Sequence, residues 1–572
     1  MPADSAGDEP RPTALDPQQL GFTPRPPVPW LSPVLLAGTA VRVVLSELFG
    51  AYLDKRELQN ALPRKLFDER PETGDATGDE VWLDYVADLG DGFDSTYAIA
   101  YLLAQPCLTV DGHELPRGRA VVMGGDQVYP TASGQQYEDR FKGPYRAALP
   151  QPPREGRRPT MYALPGNHDW YDGLTAFLRV FARAREGKVG GWLTRQARSY
   201  FVIQLPNRWW LYGIDAQGDA YIDDPQLRYF EEAARHLQPG DKVIVCTPNP
   251  SWVEAATEGD PHAYDTIDYF VRRILDPREV TVPLMLSGDL HHYARYSGPD
   301  RELITCGGGG AYLYPTHRLP AAIEVPPQAS LVRKASPSTE YKLAARFPTE
   351  RRSRLYAAGV FRRLPRRNPG FIAFLGVVHL LLMLAMTNAA ERPTGTELQL
   401  VTLPVGIMAV LVLAGNMLFA MPPTAGRRRP KHVILGFSHG VAHVLLGVLG
   451  TWLWLATPLP HLAFPLALVF AAVLYLPVSG LVACELVSLY LLVASSFHVN
   501  VNELFAGQSI MDSKGFLRLH FTADGGLTIY PVAVDKVSRK WTATPTAPPD
   551  RPWFEPVHPM PVHLAEPPIR VR

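Results

Sequence analysis

Residues 120–129 read Ala-Val-Val-Met-Gly-Gly-Asp-Gln-Val-Tyr, four apolar residues opening into a glycine pair that Asp126 and Tyr129 follow at once. A run of that length suits a buried strand, and glycines let the chain turn sharply so that side chains can crowd round one point. Six more stretches between residues 80 and 320 are built alike. They are VWLDYVADLGDG (81–92), PTMYALPGNHD (159–169), RWWLYGIDAQ (208–217), DKVIVCTPNPSW (241–252), VPLMLSGDLHHY (282–293) and ELITCGGGGAY (302–312). Helical spacing appears between several of them, over 172–186 and 225–237. Short strands alternating with helices predict an α/β unit over 80–330, its sheets covered by helices and its chemistry gathered where strands end.

Upstream, residues 1–30 are polar and Pro-rich and predict a loose tail, without the basic and apolar regions of a signal peptide. From Trp30 to Leu62 the apolar residues recur at helical spacing, but Arg42, Glu47, Asp54 and Lys55 interrupt them. The 31–79 segment is therefore expected to hold an amphipathic helix, packed on the domain or lying on a membrane surface. Residues 331–369 are basic, contain prolines and read as a linker.

Downstream, Phe371–Ala390, Leu398–Met421, Val433–Ala456 and Leu462–Phe497 hold a single acid, Glu485. About 20 apolar residues cross a hydrocarbon core, so 370–498 reads as about four membrane spans. The last block is either one long kinked helix or a hairpin breaking at Pro477–Gly480. Arg362, Arg363, Arg366 and Arg367 precede the first block, and Arg427, Arg428, Arg429 and Lys431 follow the second, whereas residues 391–397 and 457–461 share one Arg. The basic side is expected to be cytoplasmic and to carry the α/β unit, making this a multi-pass protein of the cytoplasmic membrane. Four crossings return residues 499–572 to that side, where FLRLHFTADGGLTIYPVAV (516–534) predicts a β-hairpin.

Acidic and basic residues balance at 56 each, which removes any global electrostatic case for nucleic-acid binding. Cys107, Cys246, Cys306 and Cys484 are scattered without CxxC spacing, so no disulfide framework is expected.

Five clusters carry chemistry: Asp88–Gly92, Gly124–Tyr129, Pro165–Asp169, Cys246–Pro250 and Ser287–Tyr293. Their Asp, Asn, His and Tyr side chains are hard-to-borderline donors suited to Fe, Mn, Zn or Ca. One such cluster is usually a turn, but five in order are hard to explain that way. In this order they resemble the calcineurin-like metallophosphoesterase superfamily, of a bacterial membrane-anchored type. The spelling (DxG, GDxxY, GNHD and a final GDxH) is closest to the purple acid phosphatase branch, with an echo of PhoD-type phosphodiesterases. The resemblance covers about residues 80–320 and implies a four-layer α/β/β/α metallophosphoesterase sandwich with two metals at the strand ends, followed by the all-α transmembrane domain.

Carried over by position, the resemblance implies that Asp88, Tyr129 and His291 bind the first metal, that Asp126 bridges both and that Asn167 binds the second. His168 would contact phosphate and protonate the leaving group, with Asp169 orienting it. The sequence departs from the family where Gly90 replaces a histidine, where Asp289 replaces the first histidine of GHxH, and where the fourth cluster lacks one. Asn249 is the candidate oxygen donor there. The second metal would then see Asp126, Asn167, Asp289 and Asn249, an all-oxygen set favouring Mn, Mg or Ca, while the phenolate-containing first site suits Fe.

The expected function is hydrolysis of a phosphomonoester or phosphodiester at the membrane by hydroxide activated between two metals. A transporter or sensor with a regulatory phosphoesterase-like domain, and a metal-binding scaffold without turnover, are the competing classes. Asp91 and Asp94 read as further site acids or loop caps. The glycine run after Cys306 reads first as a tight turn and second as an anion nest. His317 reads first as a structural histidine and second as a group facing the site, and His439 and His443, spaced i,i+4, read first as helix-to-helix hydrogen-bonding groups and second as metal ligands or a proton relay.

Overall fold

The computed structural model describes residues 11–35, 38, 59, 62–71, 80–154, 156–183, 185–216, 221–257, 260–334, 336–390, 398–422 and 429–571. The amphipathic helix expected over Trp30–Leu62 lies mostly outside these residues. All seven quoted stretches contain strands: β1 (Val81–Val86), β2 (Ala120–Met123), β3 (Thr160–Ala163), β4 (Trp209–Gly213), β5 (Lys242–Thr247), β6 (Thr281–Ser287) and β7 (Glu302–Cys306). The helical spacing between them appears as Thr175–Val180 and Asp224–Ala233.

The strands form two nine-stranded mixed sheets. In one, β1, β2 and β3 run parallel side by side. In the other, β4, β5, β6 and β7 do the same. Both faces of each sheet are apolar because both are covered. Tyr85, Val122, Tyr162, Ile244, Leu284 and Ile304 meet between the sheets. Val121 and Met123 turn the other way, toward Tyr97 and Leu103 of the helix Phe93–Ala104. Val243, Val245 and Met285 pack outward with Phe230, Trp252 and Phe270.

Three segments depart from the domain limits read in the sequence. Residues 11–30 are not a loose tail: Leu20 and Phe22 are buried in the core beside the helix Phe93–Ala104, and Thr23 N donates to Asp139 Oδ1 at 2.9 Å, so apolar anchors outweigh the polar, Pro-rich composition. The 331–369 stretch is folded, not a linker: β8 (Thr339–Phe347) pairs with Tyr293–Ser297 and Ala322–Val325, and helices Glu350–Ala358 and Val360–Arg367 follow. Hydrogen bonds to strands distant in sequence outweigh its polar, basic composition. The expected hairpin forms as β9 (Lys514–Phe521) and β10 (Leu527–Val534), but it is no separate module. β9 lies antiparallel against β1 and extends the first sheet.

The described parts of Met1–Val28, Thr39–Arg351 and Met511–Arg572 form one compact unit, and those of Pro29–Gly38 and Arg352–Ile510 another. The second unit contains four helices long and apolar enough to cross a membrane: Pro369–Ala390, Thr402–Ala420, Pro430–Leu455 and Phe464–Ser495. The last runs through Pro477 without breaking. A π-helical turn at Ala471–Tyr475 stands just before the proline, where its missing amide would otherwise interrupt the ladder.

β9 is locked to β1 by a buried ion pair. Arg518 Nε lies 2.7 Å from Asp84 Oδ1, Arg518 Nη2 3.2 Å from Oδ2, and Nη1 donates to the Leu115 carbonyl at 2.7 Å. Burial still holds the Asp84 carboxyl above its ordinary value, so desolvation outweighs the attraction of Arg518. Such a pair adds little over an apolar isostere but is costly to break. Arg518→Met is therefore expected to destabilise the protein by about 3–5 kcal/mol, and adding Asp84→Leu to recover much of that loss. Thermal unfolding of the two variants in detergent reads the difference.

Candidate metal centre

Asp88 follows β1, Asp126 follows β2, Asn167 follows β3, Asn249 follows β5, and Asp289 and His291 follow β6. Parallel pairing puts these loops at one edge of each sheet. The backbone stitches them together: Asp88 N donates to the Gly125 carbonyl at 3.0 Å, Leu89 N to the Asp126 carbonyl at 2.8 Å and Gly288 N to the Pro248 carbonyl at 3.0 Å. Asp289 N donates to Asp88 Oδ2 at 2.9 Å, which joins loops from the two sheets. A methyl group at Gly166 would land on Asp126 Oδ1, and one at Gly307 on Asp88 Oδ2. Asp88, Asp126 and Asp289 stand at φ 60°, 49° and 66°, in the left-handed region. Each such residue costs about 1–3 kcal/mol, strain that concentrates at functional sites.

Tyr129 is the hub. Its hydroxyl lies 3.0 Å from Asp88 Oδ1, 3.0 Å from Asp126 Oδ2 and 2.9 Å from His291 Nε2. His291 Nδ1 is 2.8 Å from the Tyr312 carbonyl, which can only accept, so Nδ1 carries the hydrogen and Nε2 is bare. Three acceptors thus surround a hydroxyl with one hydrogen. The two oxygens of Asp126 face different neighbours, Oδ2 toward Tyr129 and Oδ1 toward the amide of His168 at 2.9 Å. Asn167 Oδ1 is buried without a hydrogen-bond partner.

Electrostatics follow from that crowding. Burial and the neighbouring Asp126 and Asp289 push the Asp88 carboxyl well above its ordinary range. Burial raises Asp126 to about 7, and burial with Asp126 raises Asp289 to about 7. Burial and nearby Lys514 hold His291 neutral, well below its usual value. Lys514 comes from β9; burial lowers its ammonium to about 8 against the attraction of Asp512, Asp91 and Asp88. Its position in an alternating strand gave no sign of this placement.

His168 and Asp169 divide differently from the sequence reading. His168 Nδ1 is 2.6 Å from the Pro130 carbonyl, so that carbonyl orients the ring, and burial depresses its pKa to about 4. Asp169 accepts instead from Tyr137 Oη at 2.5 Å, Gly166 N at 2.9 Å and Gln127 N at 3.3 Å. It ties the Asp126 and Asn167 loops together and is a positioning residue. Asn249 keeps its amide oxygen available. Its loop reaches the site through Pro248, and its amide nitrogen donates to Glu254 at 3.0 Å, one turn into the helix Ser251–Thr257, which orients the side chain.

Asp91 caps loop backbone, and Asp94 anchors an indole. Asp91 accepts from Val28 N and Tyr312 N, and Asp94 from Trp541 Nε1. The glycine run packs tightly, with Gly307 N, Gly309 N and the Gly308 carbonyl all spent on backbone bonds. No sequence pattern pointed to the Pro130 and Tyr312 carbonyls, because any residue supplies a carbonyl.

Among the described residues, no three His, Cys, Asp or Glu side chains by themselves form a metal-holding group. The convergence here passes through a phenol. The set Asp88, Asp126, Tyr129 and His291, with Asn167 and Asp289 beside it, nonetheless fits hard cations. It offers too many acceptors for one hydrogen, raised carboxyls and an unpartnered amide oxygen, all of which positive charge would relieve.

No family model matches the chain, and no curated protein matches it. Among solved structures, GAP50, "the anchor in the inner membrane complex of Plasmodium", is similar at 14% identity and TM-score 0.31, over 41% of this chain and 74% of that one.

Carboxyls whose folded pKa is raised stabilise the fold while protonated, and that contribution is lost as pH rises through about 7. Histidines held neutral, such as His168, act at lower pH, between about 4 and their ordinary value of about 6.5. Between about pH 6.5 and 8 the melting temperature of metal-stripped protein is therefore expected to fall, and Asp126→Asn with Asp289→Asn to flatten that fall. Added Mn²⁺ should raise the melting temperature more at the higher pH, where the ligands have shed their protons.

Proposed function

We propose that this protein is a metal-dependent phosphoesterase of the calcineurin-like metallophosphoesterase superfamily, tethered to the cytoplasmic membrane with its α/β unit on the cytoplasmic side. The observation that supports it is the gathering of Asp88, Asp126 and His291, from three separate strand ends, around the Tyr129 hydroxyl. Apolar clusters between the two sheets and on the outer face of each support the finer α/β/β/α sandwich.

Asp88, Asp126, Tyr129 and His291 would hold one metal, with Fe the best fit, and Asp126, Asn167, Asp289 and the Asn249 amide oxygen the other, with Mn, Mg or Ca. Bound there, such a pair supplies neutralisation of the phosphate oxygens and an activated water. The chain's own residues do the rest. The Tyr312 carbonyl fixes the His291 tautomer so that Nε2 offers its lone pair. The Pro130 carbonyl does the same for His168, so its Nε2 takes up a proton when an anionic ester approaches and returns it to the leaving oxygen. Asp169 keeps the Gly166 and Gln127 amides in register, which fixes the distance between the two ligand loops. Tethering favours an ester presented at the membrane surface, such as a lipid-linked phosphate.

Purified full-length protein with Mn²⁺, Fe²⁺ or Ca²⁺ is expected to hydrolyse bis-p-nitrophenyl or p-nitrophenyl phosphate. Asp126→Asn should abolish turnover, and His168→Asn should lower kcat about 10²–10⁴-fold with KM little changed. No turnover with any of the metals contradicts the proposal.

A further inference from the structure

The membrane bundle contains a line of three histidines for which phosphoester chemistry has no use. His379 stands near the middle of the helix Pro369–Ala390, and His439 and His443 stand one turn apart on Pro430–Leu455. His379 Nε2 lies 3.1 Å from His443 Nδ1, and His443 Nε2 lies 3.1 Å from His439 Nε2. All three side chains are buried, and the two outer nitrogens, His379 Nδ1 and His439 Nδ1, are buried without a hydrogen-bond partner. The His439 ring stacks on Tyr490 of the last helix at 3.8 Å and 1°. Tyr490 Oη donates to Asn500 Oδ1 at 2.8 Å, and Asn500 Nδ2 donates to the Phe419 carbonyl at 2.8 Å.

Few other polar groups compete for these rings. On the last helix the titratable neighbours in sequence are Cys484 and Glu485, the latter the one acid among the described residues of the four helices. On the helix Leu398–Ala420, Asn416 spends its amide on the Val412 carbonyl. Helix-to-helix glue does not explain the line, because it leaves an unmet polar nitrogen at each end, which is unfavourable when buried. Ionisable groups kept at such cost within a membrane default to function. A metal site does not explain it either. His443 spends its two nitrogens on different neighbours, so the rings form a row and face no common point, and no metal-holding group of three is found among the described residues.

We propose that His379, His443 and His439 form a proton-transfer relay inside the membrane bundle. With all three rings neutral, His439 Nε2–H donates to His443 Nε2, and His443 Nδ1–H donates to His379 Nε2. That leaves His439 Nδ1 bare and His379 Nδ1 protonated. A hydronium ion gives its proton to His439 Nδ1. The Nε2 proton of His439 moves to His443 Nε2, the Nδ1 proton of His443 moves to His379 Nε2, and the Nδ1 proton of His379 leaves to water. One proton enters and one departs, every ring ends neutral, and both hydrogen bonds are re-formed in the opposite sense. The outer nitrogens are where protons enter and leave, which gives their lack of partners a purpose.

Solid-state ¹⁵N NMR of the full-length protein, labelled at histidine in lipid bilayers, tests this independently of phosphoesterase activity. The four linking nitrogens are expected to resonate between the positions of protonated and bare imidazole nitrogen, because each holds its proton part of the time. His443→Phe should return His379 and His439 to fixed tautomers. Wild-type spectra with every linking nitrogen wholly protonated or wholly bare overturn the relay, and so do resonances displaced by a bound metal. The wild-type spectrum decides the matter even if the variant fails to fold.

Discussion

A single phenolic hydrogen shared among three buried acceptors is the constraint around which the α/β unit is organised. Two carboxylate oxygens and an imidazole nitrogen stand within 3.0 Å of the Tyr129 hydroxyl, which can satisfy only one of them as donor. Left to itself, such an arrangement keeps carboxyls protonated and loses stability as they ionise. Its persistence requires that the surrounding loops be over-determined. They are, through amide bonds between strand ends, through Asp169, and through glycines where no Cβ fits.

The fold meets that requirement by long-range pairing. β1, β2 and β3 bring three loops to one edge, and β5 and β6 bring two more. The hairpin β9–β10 lies beyond the membrane helices in the chain yet extends the same sheet and carries Lys514 in toward the acids. The helical bundle is thus inserted in the sequence of the α/β unit, whose strands β1 and β9 must find each other across it. Arg518 and Asp84 make that meeting specific, since a slipped register would leave a charge buried alone.

Much of this was legible in the sequence because it is local. Seven apolar runs ending in polar loops became seven strands, and four nearly charge-free blocks became four long helices. Asp88, Asp126, Tyr129 and His291 were named from their motifs and do stand together. What escaped is non-local or belongs to the backbone. β8 reads as a basic linker because its alternation is diluted by Lys342 and Arg346. The Pro130 and Tyr312 carbonyls that orient the histidines carry no side-chain signature. Asp169 was assigned by adjacency in sequence, but a one-turn helix carries it toward Tyr137. The third histidine of the membrane row, His379, lies more than sixty residues from its partner, so spacing could reveal only the other two.

Metal analysis of the purified full-length protein bears most directly on the central claim. Crowded acceptors around Tyr129, with Asp126 facing two ways, imply that each chain retains two metal ions after dialysis and that Tyr129→Phe loses one. A folded chain that retains none, or a Tyr129→Phe variant whose metal content is unchanged, contradicts the account.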